Sequence, residues 1–233
     1  MKGDGGFPID VDDRSSLYKF SITPGSDPLL SDVVGWVPSG ITLFDVATGG
    51  GWPLGRTVEV FGPESSGKSS LSYLAAANTQ RAGGAVVFVD SEHTFSREFS
   101  AHGFGVDVDK ILFLDSTLSI EKVFAHVNKI SRALKAKKPD APILVVWDTI
   151  NASFTDKEAE KAEEGEHPST MAGHRAQVIR SALRVTSSVL SQTNTCLFLV
   201  NHVYESLGGP AFGPTKLSPG GMGPKFFASL RVY

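Results

Sequence analysis

The residues Gly62-Pro63-Glu64-Ser65-Ser66-Gly67-Lys68-Ser69 fit the pattern G-x-x-x-x-G-K-[ST] at every fixed position. The chemistry open to such a run is phosphate binding. Gly62 and Gly67 let the backbone turn tightly and aim successive N–H groups inward. Those donors, with the positive end of a following helix, cradle phosphate oxygens. Lys68 sets a compact positive charge against β- and γ-phosphates, and the Ser69 hydroxyl can ligate Mg²⁺. Ser70 continues the same turn. A chance match in an ordinary glycine turn would lack the flanks seen here, an apolar strand over residues 57–61 and a helix-forming run with Leu71, Leu74, Ala75, Ala76 and Ala77.

Three further places combine a polar side chain with the end of an apolar run. Asp148 closes the run 143–147, the position that holds Mg²⁺, often through water, in phosphate-loop ATPases. Its other reading is a carboxylate capping the next helix. Thr149 beside it can share the metal's surroundings. Glu92 follows the run 85–89, where a carboxylate near the γ-phosphate can orient and deprotonate the attacking water. Asp90 competes for that role, and Glu92 is preferred because it lies further past the strand end. His202 follows Asn201 after the run 196–200. It can contact the γ-phosphate and link nucleotide state to the order of the glycine-rich segment behind it, or it can simply bond to backbone. The six histidines show no metal-ligand spacing, and a single cysteine makes a zinc site a poor fit.

These residues need a scaffold that brings strand ends together. The runs 85–89, 111–114, 143–147 and 196–200 are continuously apolar, as in strands buried on both faces, and residues 57–61 read as a further strand. Between them lie helical patterns. Ile120, Val123, Phe124, Val127, Ile130 and Leu134 share one face, with Ser119 as cap and Lys135, Lys137 and Lys138 before Pro139. Ala176, Ile179, Leu183 and Leu190 define a second helix, and Leu43, Phe44, Val46 and Ala47 a short early one. Residues 52–56 read as a turn, residues 156–168 as a solvated loop or frayed helix, and residues 226–233 as a further strand. Alternating strand and helix gives an α/β fold, a mainly parallel sheet with helices on both faces. In such sheets ligands sit at the carboxyl ends of the strands.

Bulk properties narrow the partners. A length of 233 residues suits one α/β domain, and a hydrophobic fraction of 41% with 20% charged residues is that of a globular protein. No apolar run approaches a membrane span, and residues 1–13 lack the basic and apolar regions of a signal peptide. The lone Cys196 cannot form an internal disulfide, which suggests a reducing, cytoplasmic setting. A net charge of −3 provides no global attraction for nucleic acid, so any DNA site must be a local patch. The glycine- and proline-rich residues 203–224 carry Lys216 and precede Lys225 and Arg231. There the N–H groups of Gly220 and Gly221 can approach a phosphate closely, with no Cβ between. Residues 156–173 form a second long segment, followed by Arg175 and Arg180. Its acidic part, 156–166, is a poor electrostatic choice for DNA.

Taken together the motifs resemble RecA-type recombinases, especially phage members of the UvsX kind. The resemblance rests on Val37-Pro38-Ser39-Gly40-Ile41, the phosphate loop, Phe88-Val89-Asp90-Ser91-Glu92-His93, Leu144-Val145-Val146-Trp147-Asp148, Gln192-Thr193-Asn194-Thr195, Val200-Asn201-His202, and Gly220-Gly221 through Lys225-Phe226-Phe227-Ala228-Ser229. It implies a phosphate-loop core over residues 37–233, incomplete at its C-terminal end, after an extension of residues 1–36 in which Leu17 to Ile22 supply at most a docking strand. It implies ATP and Mg²⁺ bound between neighbouring subunits of a helical filament on single-stranded DNA, with homologous duplex DNA as the second substrate. It implies Glu92 as the water-activating base, His202 as the γ-phosphate sensor and Phe99 as the aromatic that stacks on adenine. It makes residues 156–173 and 203–224 the DNA-binding segments, with Arg175, Arg180, Lys216, Gly220 and Gly221 as contacts, and Lys225 and Arg231 as bridges between subunits. The rival reading is a regulatory paralogue of the same fold that binds ATP, hydrolyses it weakly and acts through protein partners.

Overall fold

The computed structural model describes residues 33–165, 171–205, 216–217 and 222–233. The expectations for Leu17 to Ile22, Gly220 and Gly221 lie outside the described residues. In chain order the elements are β1 (Trp36–Val37), α1 (Thr42–Thr48), β2 (Trp52–Pro53), β3 (Thr57–Gly62), α2 (Lys68–Arg81), β4 (Ala85–Asp90), α3 (Arg97–Phe104), β5 (Ile111–Leu114), α4 (Ile120–Lys137), β6 (Ile143–Asp148), α5 (Asp156–Glu163), α6 (Ala172–Thr193), β7 (Thr195–His202), β8 (Tyr204–Glu205), β9 (Lys216–Leu217), α7 (Met222–Phe227) and β10 (Ala228–Val232). The chain has the α/β, phosphate-loop fold expected of it.

The apolar runs become strands of one parallel sheet ordered β10-β3-β7-β6-β4-β5. Because successive side chains point to opposite faces, each central strand serves two cores. Val86, Phe88, Leu144, Val146, Phe198 and Val200 meet Tyr73, Ala75, Ala76 and Ala77 of α2 on one face. Val87, Val89, Val145, Trp147, Leu197 and Leu199 meet Ile120, Val123 and Phe124 of α4 and Ile179, Leu183 and Leu190 of α6 on the other. Helices therefore cover both faces, and the middle of each central strand is apolar on both sides apart from Glu59 of β3.

Some local readings change. Residues 52–56 do not form a simple turn. Trp52 and Pro53 pair antiparallel with Trp36 and Val37, and the Trp52 ring packs edge-on against Phe198 at 5.0 Å. Strands of two residues are too short to show a period. Phe226 and Phe227 belong to α7 rather than to a strand, which starts only at Ala228. Pro224 sits in the first turn of α7, where a missing N–H is tolerated. The helix α3 has no clear apolar period. Its boundaries come from Ser96, whose hydroxyl accepts from the Phe99 N–H, and from Gly105 in the left-handed conformation.

At the β10 edge an ion pair takes the place of apolar packing. Glu59 of β3 is fully buried and accepts from Asn201 Nδ2 at 2.8 Å and from Arg231 Nε at 2.6 Å. The Arg231 guanidinium also lies 4.4 Å from the centre of the Phe61 ring. Removing one partner of a buried pair strands the other charge. Replacing Arg231 by Met is expected to lower stability by about 3 kcal/mol in urea unfolding followed by far-UV circular dichroism. A loss below about 0.5 kcal/mol, the range of ordinary surface changes, would show that the pair does not hold β10.

Candidate functional site

Gly62 ends β3 and Lys68 begins α2, so the phosphate-loop motif forms the whole connection between strand and helix. Its path requires glycine at Gly67 and packs closely at Gly62, where a Cβ would displace the Ser66 hydroxyl. Gly67 has φ +89°, and a Cβ on Gly62 would lie 2.8 Å from Ser66 Oγ. No side chain caps the first turn of α2. Its leading N–H groups and the positive end of the helix are left facing the loop, the arrangement that suits an anion.

Lys68 is 7% exposed, and its ammonium donates to the carbonyls of Gly62 at 3.1 Å and Pro63 at 2.7 Å. No carboxylate among the described residues pairs with it directly. Burial lowers its pKa below the ordinary lysine value, while Asp148, Glu92 and Glu64 pull the other way. This charge is partly stripped of water and held by neutral oxygens alone. Ser69 Oγ donates to Asp148 Oδ2 at 2.9 Å. Asp148 is buried at the end of β6, and burial raises its pKa against the opposing hydrogen bond from Ser69.

The register of the sheet brings the other residues in. Asp90 of β4 lies level with Asp148 of β6, and Asp148 level with Val200 of β7. Asp90 turns its carboxylate to the Thr94 and Phe95 N–H groups at 3.1 and 2.9 Å, which occupies it structurally. Glu92 instead lines the cavity. Its Oε1 accepts from Thr149 Oγ1 at 2.6 Å and faces His202 Nε2 at 3.1 Å. Thr149 was expected near a metal, yet its hydroxyl is turned to Glu92. Glu64, Ser65, Ser66, Gly67, Lys68, Ser69, Ser70, Glu92, Asp148 and His202 enclose a cavity of about 270 Å³. Phe99 is apart from it on α3, 53% exposed, with its ring 5.3 Å from Phe104 and 6.2 Å from Tyr73.

A triphosphate and a divalent cation fit these residues. The unpaired ammonium and the uncapped helix end suit phosphate oxygens, and the Ser69–Asp148 pair is a hard oxygen donor set suited to Mg²⁺. A model of the RecA N-terminal domain matches residues 21–233 of the chain. The chain belongs to the RecA family.

RecA of Streptomyces ambofaciens is 38% identical over 197 residues, covering 84% of this chain and 50% of that protein. RecA of Leifsonia xyli is 37% identical over 202 residues, covering 84% and 52%. RecA of Salinispora arenicola is 36% identical over 209 residues, covering 89% and 56%. The chain thus spans about half the length of the curated relatives it matches. These are bacterial RecA proteins, and nothing in them indicates the phage UvsX branch to which the motifs leaned.

Of the two segments expected to meet DNA in a RecA-like core, residues 156–165, 171–173, 203–205, 216–217 and 222–224 are described. Residues 156–163 are a helix, α5, opened by a capping box in which Thr155 and Glu158 bond reciprocally. Arg175 is committed within the chain, donating to Glu158 Oε1 at 2.7 Å and to the Asn151 carbonyl at 3.1 Å. Arg180 lies on α6 with its guanidinium 6.0 Å from the centre of the Phe226 ring. Lys216 falls in β9, which pairs antiparallel with β8. Lys225 is exposed on α7, whereas Arg231, expected between subunits, binds Glu59 of its own chain.

Burial alone would raise the Glu158 pKa, but the bonds from Arg175 and the Thr155 N–H override it and hold the carboxyl below the usual range. A lowered folded pKa gives stability that is full above the unfolded value and fades as pH falls through the folded one. Replacing Arg175 by Met is expected to cost about 2 kcal/mol at pH 7, with the gap to the parent closing below roughly pH 4. Urea unfolding across pH 3–7 measures it. A gap that stays constant with pH would contradict the pairing.

Proposed function

We propose that this RecA-family chain is the nucleotide-binding part of a DNA-dependent ATPase. It binds ATP with Mg²⁺, assembles as a helical filament on single-stranded DNA, and promotes pairing and strand exchange with homologous duplex DNA, in the cytoplasm. The observation that carries the reading is the convergence of Lys68, the Ser69–Asp148 pair, Glu92 and His202 on one cavity at the carboxyl ends of β3, β4, β6 and β7.

The chain's own residues divide the work. The loop amides and Lys68 bind the β- and γ-phosphates, exchanging two carbonyl contacts for anionic oxygens. Ser69 and Asp148 hold Mg²⁺, which, when bound, neutralises charge on the phosphates. Glu92 orients the attacking water and takes its proton. His202 donates to the γ-phosphate in place of Glu92, so one side chain reports the nucleotide to the segment behind β7. Phe99 stacks on the base. Arg180, Lys216, Gly220 and Gly221 meet the DNA backbone, and Lys225 bridges subunits. Hydrolysis resets the filament and does not drive the pairing.

The acidic helix α5, whose Glu158 neutralises Arg175, favours a second reading, an ATP-binding regulator that acts through protein partners. Electron microscopy with DNA and ATP separates them, since filaments support the recombinase and small discrete complexes support the regulator.

Fluorescence anisotropy with labelled single-stranded DNA tests the leading reading. Binding is expected to require ATP and to be lost in Lys68→Ala. Glu92→Gln is expected to keep ATP-dependent binding while hydrolysis falls by roughly 10²–10⁴-fold, the usual contribution of a general base. DNA binding that ignores ATP, or full turnover in Glu92→Gln, would overturn it.

A further inference from the structure

Thr149 has no part in the chemistry described so far, yet its setting is specific. It follows Asp148 at the end of β6 and is fully buried. Its hydroxyl donates to Glu92 Oε1 at 2.6 Å, the short range of a charge-assisted O–H···O⁻ bond.

Glu92 needs such support. It stands two residues beyond β4 in a turn, followed by His93 at φ 56°. The backbone there is anchored, because Ser91 N–H donates to the Asp148 carbonyl at 2.9 Å. Ser91 Oγ also meets Ser153 Oγ at 2.8 Å and the indole N–H of Trp147 at 3.1 Å. The carboxylate lies beyond that anchor on a side chain with three rotatable bonds. Among the described residues only Thr149 and His202 hold it, and both bind the same oxygen, Oε1. Its Oε2 has no partner among them.

The shared oxygen decides the argument. If His202 turns to the γ-phosphate when nucleotide binds, Glu92 loses one of its two anchors just before water attacks. Thr149 is the anchor that remains. We infer that Thr149 is the positioning residue for the base: its hydroxyl keeps hold of Oε1 after His202 lets go, so that Oε2 faces the water and takes its proton. This rests on the reading of Glu92 as the base. The hydroxyl therefore fixes the carboxylate rather than serving the metal held by its neighbour Asp148. Small displacements of a base are costly, because proton transfer demands hydrogen-bond distance in the attacking geometry.

Two substitutions test this in the full chain. Thr149→Val keeps the shape and removes the donor, whereas Thr149→Ser keeps the donor. Nucleotide affinity with Mg²⁺ and single-turnover hydrolysis on single-stranded DNA are measured for both. Thr149→Val is expected to leave affinity within about threefold and to slow hydrolysis by at least about tenfold, with Thr149→Ser restoring most of the rate. A crystal structure of Thr149→Val is expected to show the Glu92 carboxylate moved from its place. Parent-like hydrolysis in Thr149→Val would overturn the inference. So would a loss of Mg²⁺-nucleotide affinity as large as the loss of rate, or a Thr149→Ser variant as slow as Val. If the parent chain itself does not hydrolyse ATP, the reading of the base fails on its own account. The position of Glu92 in Thr149→Val then still decides the role of Thr149, displacement upholding it and an unmoved carboxylate overturning it.

Discussion

A lysine ammonium held by two backbone carbonyls, with no carboxylate paired to it among the described residues, is the interaction on which the rest depends. Burying a charge is costly unless it is satisfied, and neutral oxygens satisfy an ammonium only in part. Asp148, Glu92 and Glu64 are near enough to favour the charged form of Lys68, but each is turned to another task or to solvent. The site is therefore preset for an anion that brings several oxygens at once. The loop amides and the uncapped start of α2 point to the same ligand. Local sequence, backbone conformation and electrostatics all agree on this one requirement.

The parallel sheet makes that requirement effective. Parallel strands in register end at the same level, so Asp90, Asp148 and Val200 lie side by side, and the residues just past them crowd into one crevice. This needs a sheet that does not slip. Strands packed on both faces resist slippage, since a one-residue shift would exchange two different cores. At the β3–β10 edge, where Glu59 replaces an apolar side chain, the bonds from Arg231 and Asn201 fix the register. Asn201 immediately precedes His202, so the same buried carboxylate also steadies the end of β7 that carries the proposed sensor.

Much of this was legible in the sequence because the signals were strong and local. The phosphate loop has fixed spacing, and strands buried on both faces read as unbroken apolar runs. Asp148, Glu92 and His202 could be placed because each follows such a run. What was missed required partners distant in sequence or elements too short to show a period. The pairing of Trp36–Val37 with Trp52–Pro53 spans only two residues on each side. The helix α3 is defined by its caps at Ser96 and Gly105 rather than by an apolar face. The capping box at Thr155 and Glu158 was readable, and it would have decided the open choice between loop and frayed helix for the acidic stretch in favour of a helix. That Arg175 is consumed by Glu158, Arg231 by Glu59, and Thr149 by Glu92 could not be read, because each pairing is made by the fold across distant stretches of chain.

The account rests on the loop and Lys68 gripping a triphosphate, and equilibrium dialysis of the full chain against labelled ATP with magnesium measures that grip directly. The account predicts saturable binding at one site per chain, competed by unlabelled ATP. A folded sample that retains no ATP above the free concentration would contradict it.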